Sequence, residues 1–408
     1  MGRRLHPAPA PIPGGQQRGL PAGPATTGQP APPWLPNYPQ GPHVAPPPCT
    51  CQGPRATAQG RRSAQPLRPG MRIDSFGATP DGHNVERITL RNGGMRAQIL
   101  TLGAVLRDLR LESHTAPLVL GLNSPADYWD SPWYFGAIVG RVANRVARGH
   151  LPLNGTDHQL DRNFLGKHML HGGRDGLHRQ VWTIEDAEDA SVTLGCRLAD
   201  GHMGFPGALQ VTCHYSLNSD NSLEVTLSAR ADADTVCNLA PHFYFNLDDS
   251  GDLRHHRLQV QADQILESDA DLVPTGQCLQ LDGHPKDLRR PCAAAATALD
   301  DNYCCSQTVT PRREVAHLHS TASGIGMRLH SNQPGLQVFN AAGMRSQHRG
   351  LDGRSYGNHA GIALEPQAWP DAVHHPRFPS IILRRNAHYE SRNLFSFEHL
   401  AGNGAGPG

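Results

Sequence analysis

Beyond residue 80 the chain alternates apolar and polar positions with a period of two. In 86–92, Ile88 and Leu90 share one face, the turn Asn92-Gly93-Gly94 follows, and Met95, Ala97 and Ile99 resume the alternation, which is the pattern of a β-hairpin. Val192, Leu194, Cys196 and Leu198 repeat it. So do Leu209, Val211, Cys213, Tyr215 and Leu217 and, after a polar turn at 218–222, Leu223, Val225 and Leu227. Leu258 with Val260 and Met327 with Leu329 mark two later strands, and no 12-residue stretch shows a clear period of 3.6. Short strands joined by polar, Gly- and Pro-bearing turns predict an all-β fold, a large antiparallel β-sandwich. No internal repeat of fixed period is visible.

Composition alters this picture at the ends of the chain. Residues 1–70 hold about half of the 35 prolines and seven arginines but no Asp or Glu. Such a segment buries too little apolar surface to offset its ordering entropy. A disordered extension over 1–70 and a flexible tail over 401–408 are therefore expected to flank one domain at 71–400. Three readings of the extension stay open. One is a Pro-rich ligand for an SH3-like partner. Another is a transit peptide, whose amphipathic helix the frequent prolines oppose. The third places the true start at Met71, with GC-rich upstream DNA read through. Arg is nearly the sole cation in the chain, Lys167 and Lys286 being the only lysines, which fits GC-rich coding.

The formal net charge of +1 leaves about −6 beyond residue 70, so nothing favours nucleic acid as a partner. Nine cysteines are scattered without a C-x-x-C pair, and the adjacent Cys304 and Cys305 suit neither a bridge nor a metal. Free thiols in a reducing cytoplasm are expected. There is no run of 18 apolar residues and no secretory signal pattern, so no membrane span is expected.

Several polar clusters are candidates for chemistry. Asn144 and Arg145 sit in GRVANRVARG (140–149), His171 in LHGG (170–173) and His242 in APHFYFNL (240–247). Asp300 sits in LDDNY (299–303), Gln337 in PGLQVFN (334–340) and Glu365 in ALEPQAWPDA (363–372). Singly, each reads as structural: a His among aromatic residues is commonly a satisfied core histidine, and a Glu before Pro a solvated loop residue.

In this order and spacing, however, the string resembles the aldose 1-epimerase, or galactose mutarotase, family. The resemblance runs from about Ile73 to Phe397 and includes LTLGAVLRDLRL (100–111), YFGAIVGRVANRVARG (134–149), MLHGGRDGLHRQVW (169–182), GFPGALQVTCHYSL (204–217) and LEPQAWPDAVHHPRFP (364–379). It implies the galactose mutarotase-like supersandwich and a mutarotation of free hexoses such as galactose or glucose. Under it Glu365 is the general base for the anomeric hydroxyl, His242 the general acid for the ring oxygen, and His171 a hydrogen-bonding partner of the same region. Asn144, Arg145, Asp300 and Gln337 would bind sugar hydroxyls, with Trp133 or Phe243 as an aromatic face. Mutarotation moves only protons, so the implied reaction needs no metal, nucleotide or other cofactor, and a carboxylate and an imidazole titrating near neutrality supply base and acid. An aldose is the expected partner, and a monomer or homodimer the expected state.

Four positions depart from the family pattern: Pro241 before His242, Asp301 where His is common, FNAAGM (339–344) after the GLQV string, and LRRNAHY (383–389) near the end. Asp301 and FNAAGM are expected near the pocket and bear on sugar preference. Other readings are a glycoside hydrolase using Asp300 and Glu365, a carbohydrate-binding module, and an epimerase of a modified or phosphorylated aldose with Arg145 and Arg148 converging. A metal site on His255-His256 or His374-His375 is disfavoured, because neighbours on a strand face opposite ways.

Overall fold

The structure, a computed structural model, describes residues 72–400; the extension expected over 1–70, the proposed start at Met71 and the tail expected over 401–408 lie outside the described residues. The hairpin read from 86–99 is present. Strands Asn84–Asn92 and Met95–Leu100 pair Asn92 with Met95 across Gly93-Gly94. Arg72–Ala78 and Leu106–Leu111 extend it to a four-stranded sheet.

A second sheet has nine strands. At one end Ser191–Leu198, Leu209–Asn218 and Ser222–Ala231 run antiparallel in register, and the alternate residues of Leu209–Asn218 are buried as the sequence pattern requires. The sheet continues through Tyr389–His399, Ile325–Ser331, Arg313–Ser320 and His256–Val260.

A third sheet has six antiparallel strands, in the order Tyr244–Phe245, Ile362–Gln367, Gly335–Phe339, Asp300–Cys304, Gln264–Ser268 and Pro274–Gln280. One apolar cluster joins all three sheets. Ile88 and Leu106 enter it from the first, Val211, Leu227 and Phe395 from the second, and Phe245, Val338 and Leu364 from the third. Each such side chain contributes about 1.5–3 kcal/mol on burial, and the expected antiparallel β-sandwich is the result. The only α-helix among the described residues is Pro125–Asp130, opened by Ser124, whose hydroxyl accepts from the Asp127 N–H at 3.2 Å. No helix among them is long and apolar enough to cross a membrane.

The six-stranded sheet departs from simple alternation. Ile362–Gln367 is buried throughout and Gly335–Phe339 nearly so. Leu336, Val338, Ile362 and Leu364 face the common core. The opposite face carries Gln337 and Glu365, buried but polar. That buried polar face forms the floor of a pocket.

Candidate active site

Strand register sets the floor. Glu365 lies opposite Gln337, which lies opposite Asn302. One step along the same face, Tyr244 is opposite Ala363, Ala363 opposite Phe339, and Phe339 opposite Asp300. His242 precedes Tyr244, and its backbone is held by N–H to Ala137 O at 2.8 Å and by Gly136 N–H to its own carbonyl at 3.0 Å. Nε2 of His242 stands 3.6 Å from Oε1 of Glu365, with both side chains buried.

The opposite wall comes from 140–149 and 169–173. Arg145 pairs with Leu170, and His171 and Asn144 lock each other. The His171 N–H donates to Asn144 O at 3.0 Å, and the Asn144 N–H donates to Nδ1 of His171 at 3.1 Å. Tyr134, Asn144 and His171 hold φ of 53°, 61° and 51°, a left-handed conformation costing about 1–3 kcal/mol for such residues and typical of sites the surrounding structure over-determines. The Gly after His171 has a steric reason: a Cβ on Gly172 would come within 1.9 Å of Gly140 O. Gly172→Ala is expected to lower Tm and to displace His171, both measurable in one thermal-melt and activity comparison; an unchanged Tm would show that the backbone yields there.

Arg145 is the hub of the polar end. Its guanidinium donates to Asp300 Oδ2 at 3.0 Å and to Asn144 Oδ1 at 3.3 Å and stacks on Phe164 at 4.6 Å from the ring centroid. Nε2 of Gln337 donates to Asp300 Oδ1 at 2.7 Å. Both oxygens of Asp300 are therefore engaged. The pocket is lined by Asn144, Arg145, His171, His242, Asp300 and Glu365 together with an apolar set. In that set Trp133 and Phe339 stack at 6.4 Å and 11°.

Six of the seven residues singled out from sequence thus line one pocket. The seventh, Gln337, is not in the lining but is bonded to Asp300, which is. The expectations for Phe243 and Arg148 need correction, and those for Asp301 and FNAAGM are refined. Phe243 is fully buried in the common core between Tyr215, Phe245 and Phe395, so Trp133 alone supplies the aromatic face named from sequence. Asp301 stands beside the lining residue Asp300 but does not itself line the pocket: each of its carboxylate oxygens accepts from Lys286 Nζ at 2.7 Å, and Oδ2 also accepts from the Asp300 N–H at 3.1 Å. Within FNAAGM, Phe339 does line the pocket, whereas the Asn340 amide is tied to the carbonyls of Ala294 and Thr297. Arg148 is also outside the lining, leaving Arg145 the only Arg or Lys in it.

Sequence reading missed Tyr134, Phe164, Tyr244 and His178. The Tyr134 ring meets His171 and His178 edge-on at 4.7 Å and lies 5.8 Å from His242. For Tyr134 and His178 the one available signal was position inside the resembling strings YFGAIVGRVANRVARG and MLHGGRDGLHRQVW, and for Tyr244 its place two residues after His242; Phe164 lies in none of the strings.

Electrostatics follow from burial. Desolvation pushes the Glu365 carboxyl well above the usual carboxylate range, the Asp300 charge adds to this, and Arg145 opposes it. Desolvation also lowers His242 to about 4, against the expectation of titration near neutrality. It lowers His171 well below its ordinary value, helped by His242 and Arg145, and His178 to about 3. Between their ordinary value of 6.5 and about 4, the unfolded chain binds protons that these folded histidines refuse. The histidines' contribution to stability is therefore full above pH 6.5 and is lost as the pH drops toward 4. Thermal melts are expected to show a lower Tm at pH 5 than at pH 7, with net proton uptake on unfolding; a flat Tm would contradict this.

One ligand atom each from His171, His242 and Glu365 lie within 4.8 Å of one another, a spacing a metal ion could use. The donor set argues otherwise. Because Nδ1 of His171 accepts from Asn144, its proton resides on Nε2, which presents an N–H rather than a lone pair to the pocket. The arrangement suits hydroxyl binding and proton transfer.

Comparison with known proteins agrees with this geometry. The sequence profile of the family described as Aldose 1-epimerase matches residues 86–396. Galactose mutarotase of Bos taurus is 32% identical over 335 residues, covering 79% of this chain and 97% of that protein. Aldose 1-epimerase of Escherichia coli (strain K12) is 30% identical over 337 residues, covering 78% and 96%. Among solved structures, an aldose epimerase homologue from C. elegans superposes with a TM-score of 0.73 at 27% identity, over 77% of this chain and 99% of that one. A galactose 1-epimerase from Lactobacillus acidophilus gives 0.70 at 24% identity over 81% and 99%, a likeness of fold. Profile, relatives and fold agree over the same residues that build the pocket, and the chain belongs to the aldose 1-epimerase family.

Proposed function

We propose that the protein is a mutarotase, interconverting the α and β anomers of a free hexose such as galactose or glucose, with Glu365 as base and His242 as acid. The observation that carries this is the buried carboxylate–imidazole pair at 3.6 Å, walled by His171 and facing the Arg145–Asp300 pair across one pocket. Burial favours the neutral pair, the shared proton on Glu365 and none on His242. Moving that proton to His242 changes no net charge and yields the carboxylate base and imidazolium acid that the reaction needs. Glu365 then takes the proton of the anomeric hydroxyl while His242 protonates the ring oxygen. The C1–ring oxygen bond breaks to give the open aldehyde, C1 rotates, and the reverse transfers close the ring on the other face. The Nε2–H of His171 steadies the ring oxygen. Arg145, Asp300 and Asn144 hold hydroxyls at the far end, with Gln337 fixing Asp300.

The alternatives find less support. Asp300 accepts from Arg145 and Gln337 on its two oxygens, leaving it poorly placed to give the proton a glycosidase acid must give. A sugar phosphate would want more cationic groups than Arg145. A binding module would gain nothing from a buried carboxylate facing an imidazole. All pocket residues fall within 71–400 of one chain, so that segment is the proposed active unit and a monomer or homodimer serves equally. The seven cysteines of the described residues are free, in keeping with a reducing cytoplasm. Polarimetry of fresh α-D-galactose and α-D-glucose should show faster approach to equilibrium with protein than with buffer. No acceleration with any aldose would overturn the proposal, and sugar release from an aryl glycoside would replace it with a hydrolase.

A further inference from the structure

Beneath the acid–base pair lies a patch of polar atoms that satisfy no one among the protein's own groups. Oε2 of Glu365, Oε1 of Gln337, both ends of the Asn302 amide and both ends of the Gln367 amide are buried without a hydrogen-bond partner. The four residues are at most 3% exposed. They share one face of three adjacent strands: Glu365, Gln337 and Asn302 form one rung, and Gln367 lies one step along from Glu365, opposite Gly335. Gly335 is what lets Asn302 lean across the middle strand, since a Cβ there would stand 2.7 Å from Asn302 Oδ1. The amide of Asn302 is thus brought over the residue that separates it from Gln367.

A buried polar atom left unpaired costs about 1–3 kcal/mol, and six such atoms on one patch are not sustained without a shared partner. Same-face neighbours along a strand are about 6.6 Å apart and opposite residues about 5 Å, spacings that one or two water molecules bridge with the two to four hydrogen bonds each requires.

We propose that Asn302, Gln367 and Gln337 form a buried water site whose water donates to Oε2 of Glu365. This makes Asn302 and Gln367 positioning residues for the base. The geometry divides the carboxylate: Oε1 faces His242, while Oε2 is anchored from behind. A donor on Oε2 favours the ionised carboxylate and fixes its plane, so that Oε1 is the oxygen offered to the anomeric hydroxyl. The inference rests on Glu365 being the base, but the water site can be tested without turnover.

The test is a ¹³C NMR titration of Glu365 in glutamate-labelled protein, its signal identified by loss in Glu365→Gln. Gln367→Met and Asn302→Leu fill the site with apolar atoms and are expected to raise the Glu365 midpoint by about one pH unit. Gln367→Ser, small and polar, leaves room for a second water and is expected to return the midpoint toward wild type. In the activity assay the acid limb of the pH profile should move with the midpoint while KM stays unchanged. A purely structural role would lower Tm and leave the titration where it was, which would overturn the proposal. So would a high-resolution crystal structure showing the two amides bonded directly to each other with no water at Oε2. If the titration moves as expected but no aldose is turned over, the water site stands and the mutarotase reading fails.

Discussion

Glu365→Gln is expected to cut the acceleration of mutarotation by about 10²–10⁴-fold, the usual contribution of a positioned base. The amide keeps the shape of the side chain but has no lone pair basic enough to take the anomeric proton. The same change is expected to raise Tm. The Glu365 carboxyl is pushed well above its ordinary range by burial, so the folded protein resists an ionisation that the unfolded chain undergoes freely. That resistance costs stability as the pH rises through the ordinary carboxylate value. The neutral amide removes the cost, so the gain in Tm should be larger at pH 8 than at pH 4. Activity and stability moving in opposite directions would mark Glu365 as retained for chemistry. Activity near wild type would show that another group is the base.

The second large effect is at Arg145. Arg145→Met leaves the Asp300 carboxylate nearly buried, its cation gone and Gln337 its one remaining side-chain donor. Breaking a buried pair by removing one partner costs about 3–5 kcal/mol, so a marked fall in Tm is expected. Asp300→Asn in the Arg145→Met background removes the stranded charge and should recover much of the stability. It should not recover substrate affinity, because the fork proposed to bind sugar hydroxyls is still missing. A double-mutant cycle read in both Tm and KM separates the two roles. Equal recovery of both would mean that the pair is structural and leaves the sugar to other groups.

The sequence shows the four- and nine-stranded sheets more plainly than the six-stranded one, for a physical reason. Leu209–Asn218 alternates because one face meets the core and the other does not, and only such a strand writes a period of two. Gly335–Phe339 and Ile362–Gln367 are buried on both faces, one against the core and one against the pocket. Their alternation is of apolar against polar-but-buried residues over five or six positions, too short to stand out. Two of the motifs that pointed to chemistry, PGLQVFN and ALEPQAWPDA, lie on these strands, so their site residues were legible as part of a family string before the strands were legible as strands. Gln337 shows what a string withholds: it names the residue but not that its amide turns to Asp300. The lowered histidines show the same limit, since desolvation depends on what closes over a ring. Tyr134 and His178 belong to no polar cluster and emerge only where three imidazoles gather round one phenol ring.

The rung that places Glu365 opposite Gln337 has a consequence for folding assays. A slip of one residue in Ile362–Gln367 would turn Glu365 into the core and Leu364 into the pocket, because side chains alternate strictly between faces. The proposed base Glu365 and the carboxylate of Asp300 come from strands of this sheet, and the proposed acid His242 stands just before its first strand, so they meet only when the sheet is finished. Turnover is therefore a digital reporter of correct registry. During refolding, recovered mutarotation should track the last cooperative step and be absent from any compact species in which this sheet is mispaired, however much strand such a species contains.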